Sequence, residues 1–154
     1  MVKLRVRKFL QSHGARGLVC AAACGADILA LEAAVELGIR CRIALPFNRA
    51  AFRAMSVVDR GGDWGVRYDK LLDEIAHATD LVEATHDPED AQTWFSGNRD
   101  ILDQAAWLAG QLSTNVAALV VWNAVSHGDN DVTDHFRREA ASRGYRVAEI
   151  LTVP

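Results

Sequence analysis

The chain has 154 residues, which is enough for one domain with a full hydrophobic core and short for two. Its net charge of -3 gives no reason to expect nucleic acid as a partner, because surfaces that bind phosphate backbones normally leave a basic excess. No apolar run approaches the roughly 18 residues that span a bilayer, and the start lacks the features of a signal peptide. We therefore expect a cytoplasmic protein without a membrane partner.

The first third of the chain predicts two helices that alternate with two strands. Residues 2–13 place apolar side chains on one helical face, and residues 17–22 form the continuous apolar run of a strand buried on both faces. Residues 26–37 are apolar on nearly every side, which predicts a largely buried helix. Residues 39–45 then predict the second strand.

The middle of the chain is less regular. We expect a short helix over 49–53 and a longer one over 63–78, with Asp63 as its N-cap. Residues 80–84 predict a strand, and residues 85–95 a polar loop.

The last third returns to a regular alternation. Ser96 is the expected N-cap of a helix over 96–112, and residues 116–122 form the most hydrophobic strand. A helix over 131–143 and a strand over 145–151 complete the predicted elements.

This alternation predicts a single α/β domain over 1–154, with a Rossmann-like three-layer α/β/α fold and a mainly parallel sheet of about five strands. One feature departs from that pattern. Doubly wound domains normally begin with a strand whose following turn carries the phosphate loop, whereas this chain opens on a helix. Either the first strand is absent or the chain has been shortened at its start.

Ligands of parallel sheets bind at the carboxyl ends of the strands, where the turn 22–27 is predicted. Cys24 and Gly25 are small enough for a close backbone approach, and the amides that open the next helix suit an anionic group. Asp27 lies in the first helical turn. The alternative is that Asp27 only caps the helix and Gly25 only turns the chain. Neither a GxGxxG run nor a Walker lysine is present, so we predict no NAD or ATP cofactor.

Three further segments are expected at the same edge of the sheet. Pro46, Phe47 and Ser56 follow the second strand and could contact a base or phosphate, or else form a hydrophobic loop over the sheet end. Trp64 and Arg67 are neighbours on one helical face. A last polar helix start holds Asn98 and Arg99. The convergence of the four segments predicts one pocket.

Catalytic residues are not assigned. The acid/base candidates are Asp27, Glu32, Asp63 and Asp69, but five residues separate Asp27 from Glu32, so the two point in different directions. Ser56 lacks the G-x-S-x-G elbow of a serine hydrolase.

The odd set of three cysteines predicts reduced thiols in a cytosolic protein. No second pair completes a tetrahedral set with Cys20 and Cys24, so we predict no metal.

The stretch from Leu18 to Leu45 resembles the SLOG superfamily. Between its two predicted strands lies the run Cys-Gly-Ala-Asp-x-x-Ala-x-Glu-x-Ala-x-x-x-Gly-Ile. Within this run, Gly25 to Asp27 is similar to the turn of the DprA-like and YspA-like branches. The resemblance implies a nucleotide or nucleotide-derived ligand, with Gly25 and Asp27 beside it. The Pro-Gly-Gly-x-Gly-Thr-x-x-Glu run of the LOG phosphoribohydrolases is missing, so their N-glycosidic cleavage is not carried across.

Three functions follow from these patterns. The first is a SLOG-type module that binds or senses a nucleotide-like small molecule. The second is an enzyme that cleaves the N-glycosidic bond of a nucleoside 5′-monophosphate, with Asp27 or Asp63 stabilising the ribosyl cation and Arg67 or Arg99 holding the phosphate. The third is a degenerate domain that associates with proteins, for example as a homodimer, through its tryptophans and first helix.

Overall fold

A computed structural model describes residues 1–152. Six α-helices and five strands alternate along these residues, as expected, and a short 3-10 turn (Val58–Arg60) follows the third helix. The helices are α1 (Val2–Ser12), α2 (Ala26–Glu36), α3 (Arg49–Ser56), α4 (Trp64–His77), α5 (Thr93–Gln111) and α6 (Val132–Ser142). The strands are β1 (Gly17–Cys20), β2 (Arg40–Leu45), β3 (Leu81–Glu83), β4 (Ala117–Trp122) and β5 (Arg146–Leu151).

Two of the predicted helix starts were wrong in their capping. Helix α5 begins at Thr93, three residues earlier than expected, and the amide of Ser96 donates to the Gln92 carbonyl (2.9 Å), so Ser96 lies inside the first turn. Asp63 does precede α4, but its side chain accepts no amide and instead faces Arg67 at 3.6 Å.

All strand pairs are parallel, but the expected single sheet of five strands is divided into two. The first sheet has the order β1-β2-β3 and the second contains β4 and β5. The division arises because no backbone hydrogen bond joins β1 to β4 within residues 1–152.

Helices cover both faces of the three-stranded sheet because the side chains of β2 alternate. Ile43 and Leu45 are buried in the main core with residues of α2 and α4, among them Leu31 and Leu72. On the opposite face, the Arg42 guanidinium donates to Gln104 of α5 at 2.9 Å and stacks on Trp107. Alternation of this kind is the normal result of a two-residue strand period.

The two-stranded sheet is also covered on both faces. Ala118 packs with Leu102 of α5 and Ala140 of α6, whereas Leu119 and Val121 pack against the main core. The molecule is therefore a mixed α/β fold in which both sheets contribute to the main core. No helix within residues 1–152 is long and apolar enough to cross a membrane.

Two helices connect the sheets. Helix α1 is tied to α2 because Arg7 pairs with Glu36 at 2.9 Å, and it is tied to the second sheet because Arg5 donates to the Leu151 carbonyl. Helix α5 packs on β1 and β2 and is joined to α6 by the ion pair of Asp103 with Arg143 (2.7 Å). The sheets are thus held in place by a helix on each side.

Candidate functional site

A cavity of about 510 Å³, here called the central cavity, lies between β1 and β4. Residues 14–21 line one wall and residues 114–121 the other. Helix α5 contributes Ile101, Leu102 and Ala105, so the lining is mainly apolar. Parallel strands place their carboxyl ends at one edge, and there the lining includes the turn that follows β1.

The turn after β1 has a strained backbone. Ala22 is fully buried yet has φ +67°, which is uncommon for a residue with a side chain. Gly25 has φ +95° and ψ −123°, a conformation that is essentially restricted to glycine. The Cys24 amide donates to the Ser56 carbonyl at 2.9 Å, which fixes the turn against the end of α3. Strain of this kind is concentrated at functional sites.

Asp27 lines the central cavity and stabilises the same turn. Its carboxylate accepts the Ala23 amide at 3.1 Å. Burial raises the pKa of this carboxyl above its ordinary value, and hydrogen bonds from backbone amides oppose the shift. The carboxylate therefore retains acceptor capacity in an environment poor in water, which suits hydroxyl donors of a ligand.

The three thiols are not activated. Burial raises the pKa of Cys20 well above its ordinary value, raises that of Cys41 to about 12, and raises that of Cys24. The nearby Arg60 guanidinium partly opposes the shift of the Cys24 pKa. Within residues 1–152, no group of three or more His, Cys, Asp or Glu side chains could hold a metal ion.

The start of α5 brings two more predicted residues to the central cavity. A Cβ on Gly97 would meet the Pro46 ring at 3.3 Å, so this glycine permits close packing of the helix on the end of β2. Asn98 is buried, and its amide nitrogen donates to the Val132 carbonyl at 2.9 Å at the start of α6. Pro46 and Asn98 therefore join Cys24 and Asp27 in the cavity lining.

Trp94 was missed by the sequence analysis, which assigned it to a polar loop. It lines the central cavity and packs edge-on against Phe47, with ring centroids 5.7 Å apart. The sequence did contain a signal, because Asp90 is of a residue type that stabilises turns. In the structure its carboxylate accepts the Gln92 amide at 2.9 Å, just before α5 begins.

Phe47 and Ser56 do not line the central cavity. Phe47 is buried between Phe52 and Trp94, as the alternative of a hydrophobic loop over the sheet end predicted. Ser56 contributes through its backbone carbonyl, which accepts the Cys24 amide.

Trp64 and Arg67 also lie outside the cavity lining. They are side by side as predicted, with the guanidinium 4.4 Å from the ring centroid. Arg67 is neutralised, however, by a two-pronged pair with Glu32 at 2.7 and 2.8 Å. We call this set (Glu32, Trp64 and Arg67) the α2–α4 cluster.

The remaining charged candidates have partners of their own. Arg99 is exposed, and its nearest carboxylate is Glu139 at 4.0 Å. Asp69 forms a two-pronged pair with Arg53, both contacts being 3.0 Å. Of the four acid/base candidates, only Asp27 lines the central cavity.

A second, smaller cavity of about 320 Å³ lies beside β3. It contains a contact of 2.7 Å between His86 Nε2 and Asp100 Oδ2. Thr85 supplies the hydroxyl group of its lining, and within residues 1–152 that hydroxyl forms no hydrogen bond with His86 that would activate it as a nucleophile.

No family model matches this chain, and no curated protein or solved structure matches it. The resemblance to the SLOG superfamily therefore stays a prediction.

Proposed function

We propose that the chain binds or senses a nucleotide or nucleotide-derived small molecule at the turn formed by residues 22–27. One observation carries the proposal: this strained turn borders the central cavity at the carboxyl end of β1. In doubly wound sheets, ligands bind where the strand order reverses.

In the proposed function, the two sheets are the halves of one interrupted Rossmann-like sheet. From β1 the chain proceeds to β2 and β3 on one side, whereas β4 is followed by β5 on the other. The central cavity between β1 and β4 then lies where the strand order reverses. The DprA-like resemblance of Gly25 to Asp27 supports the same position.

The lining suits the parts of a nucleotide. The edge of Trp94, near the start of α5 and the end of β2, offers a surface for a base. The Asp27 carboxylate suits ribose hydroxyls, and the opening amides of α2, whose N-cap has no side-chain partner, suit a phosphate. Arg60 is near the turn and adds positive charge.

Binding is proposed rather than N-glycosidic cleavage. Asp63 and Arg67, which would have served the hydrolase, do not line the cavity, and Arg67 is paired with Glu32. Nothing in the lining supplies a second carboxylate beside Asp27.

The test is thermal unfolding with AMP, ADP, GMP and ADP-ribose. A ligand at about 100 times its Kd stabilises by about 2.7 kcal/mol, which raises the Tm by about 5–10 °C. We expect one of these compounds to give such a shift, and Asp27→Ala to abolish it.

Arg99→Ala is the matched control, since that side chain is exposed outside the cavity lining. It should keep the shift. Unchanged unfolding with the whole panel, or a shift that survives in Asp27→Ala, would contradict the proposal.

A further inference from the structure

The central cavity is bounded by two strand edges that lack partners. Strand β1 pairs only with β2, and β4 pairs only with β5, within residues 1–152. The opposite edge of each strand borders the same cavity. Because backbone amides and carbonyls alternate between the two sides of a strand, each of these edges presents donors and acceptors to the space between them.

The two edges run in the same direction. Arg16, just before β1, donates to the Leu112 carbonyl just before β4, so both strands start at the same end. At the other end, Asp27 of α2 and Thr133 of α6 line the same cavity. An extended segment between the strands would therefore find parallel partners on both sides.

Both faces of the space are closed by helices. Leu10 of α1 and Ala30 of α2 line one side, and Leu102 and Leu108 of α5 line the other. Strands that are covered on both faces are apolar throughout. All four residues of β1 are nevertheless only half-buried, which is unusual for a strand inside a parallel sheet.

We propose that the central cavity is a docking site for one further β-strand, namely an extended, uncharged, apolar polypeptide segment parallel to β1 and β4. Such a strand would form hydrogen bonds with the backbone amides and carbonyls of both free edges and join the two sheets into one. It comes from outside residues 1–152, because every described strand already has its place in a sheet.

The start of α1 is suitably placed for a covalently attached strand. Arg5 donates to the carbonyl of Leu151, the last residue of β5, so the amino end of α1 lies at the carboxyl end of that strand. A parallel strand in the cavity would finish at the same end. A short turn could then connect it to α1, as in the strand–helix–strand units of parallel sheets.

The experiment adds such a strand ahead of Met1 and measures amide hydrogen exchange without any nucleotide. The probe is about six valine and alanine residues, followed by about three glycine and serine residues. We expect exchange at residues 17–20 and 117–122 to slow roughly tenfold or more relative to the unextended chain. An extension with proline at alternate positions is the control, because proline lacks the amide that pairs, and it should give no protection.

A paired variant shows whether the protection arises in the cavity. Ala105 lines the cavity, whereas the adjacent Ala106 is exposed and does not. Ala105→Phe should cancel the protection given by the probe, and Ala106→Phe should leave it intact. Exchange at residues 40–45 reports whether each variant remains folded.

Three results would overturn the proposal. The first is equal exchange with the valine and proline extensions. The second is full protection of both edges in the unextended chain at every concentration, which would mean that the sheet is already closed. The third is protection that grows with concentration in the unextended chain, which would assign the space to a second copy. None of these readouts depends on nucleotide binding.

Discussion

The turn at residues 22–27 and the α2–α4 cluster both place polar residues at the beginning of a helix, yet they differ in what those residues have left to bind. In the cluster, Arg67 is stacked on Trp64 and paired with Glu32, so its charge is satisfied. In the turn, Asp27 borders a cavity and is held by backbone amides alone. Residue type therefore does not distinguish a site from a structural ion pair, whereas the partners do.

The pKa values of Glu32 and Asp27 shift in opposite directions for the same reason, because Glu32 has a cationic partner and Asp27 has none. The Arg67 hydrogen bond holds the pKa of Glu32 below its ordinary value, whereas burial raises the pKa of Asp27. Glu32 therefore stabilises the fold above its unfolded pKa and loses this contribution as the pH falls through its folded pKa. Asp27 favours the fold most below its unfolded pKa, and this contribution is lost as the pH rises through its folded pKa.

The largest effect is expected for Gly25→Val. The conformation of Gly25 is nearly exclusive to glycine, so the substitution should lower the free energy of unfolding by about 1–3 kcal/mol and abolish the nucleotide response. Chemical denaturation measures the first effect and calorimetric titration the second. Gly38→Ala is the matched control: it also replaces a glycine with positive φ (+70°), but it should cost only about 1 kcal/mol and preserve the response. Equal loss of nucleotide binding in both variants would show that the turn at residues 22–27 is not specifically required for binding.

Arg67→Ala should lower the free energy of unfolding by about 1–2 kcal/mol at neutral pH, because it leaves a half-buried Glu32 without its main partner. Lys3, at 3.4 Å from Glu32, limits the loss. The cost should shrink as the pH falls through the folded pKa of Glu32, and denaturation at several pH values checks this. A loss of nucleotide response at unchanged fold would instead place Arg67 in the site.

Asp27→Asn should have a smaller effect on stability, of about 1 kcal/mol or less, since the amide oxygen can still accept from Ala23. The variant avoids a buried charge, so its free energy of unfolding should increase relative to that of the wild type as the pH rises. This relative gain in stability should disappear in acid. Denaturation over the same pH series measures this difference. A pH dependence in the same direction as that of Arg67→Ala would contradict the assigned shift.

The smallest effect is expected for Arg99→Ala. Its guanidinium is exposed and 4.0 Å from Glu139, so the change in unfolding free energy should stay below about 0.5 kcal/mol. A loss above about 1 kcal/mol in chemical denaturation would show that Arg99 has a structural partner that this geometry does not contain.

Periodicity in the sequence was sufficient to predict the elements and the turn after β1. The apolar run before Cys24 identified the strand, which ends at Cys20, two residues earlier than predicted. The site itself was only half predictable, because Pro46 and Asn98 reach the cavity whereas Trp64 and Arg67 do not.

The failures have a physical cause. Glu32 and Arg67 are 35 residues apart on different helices, so their pairing depends on how α2 packs against α4, which no local pattern encodes. The division of the sheet is likewise a matter of which strands become neighbours.

In the proposed function, the turn at residues 22–27 contacts the ligand and the α2–α4 cluster does not. Nuclear magnetic resonance tests it directly, because each region has a tryptophan indole as reporter: Trp94 lines the cavity and Trp64 does not. On titration with AMP or ADP-ribose, we expect the resonances of the Trp94 indole and of the amides of residues 23–28 to shift, and that of the Trp64 indole to stay unchanged. Shifts centred on Trp64 and Arg67, or no shifts with either compound, would contradict it.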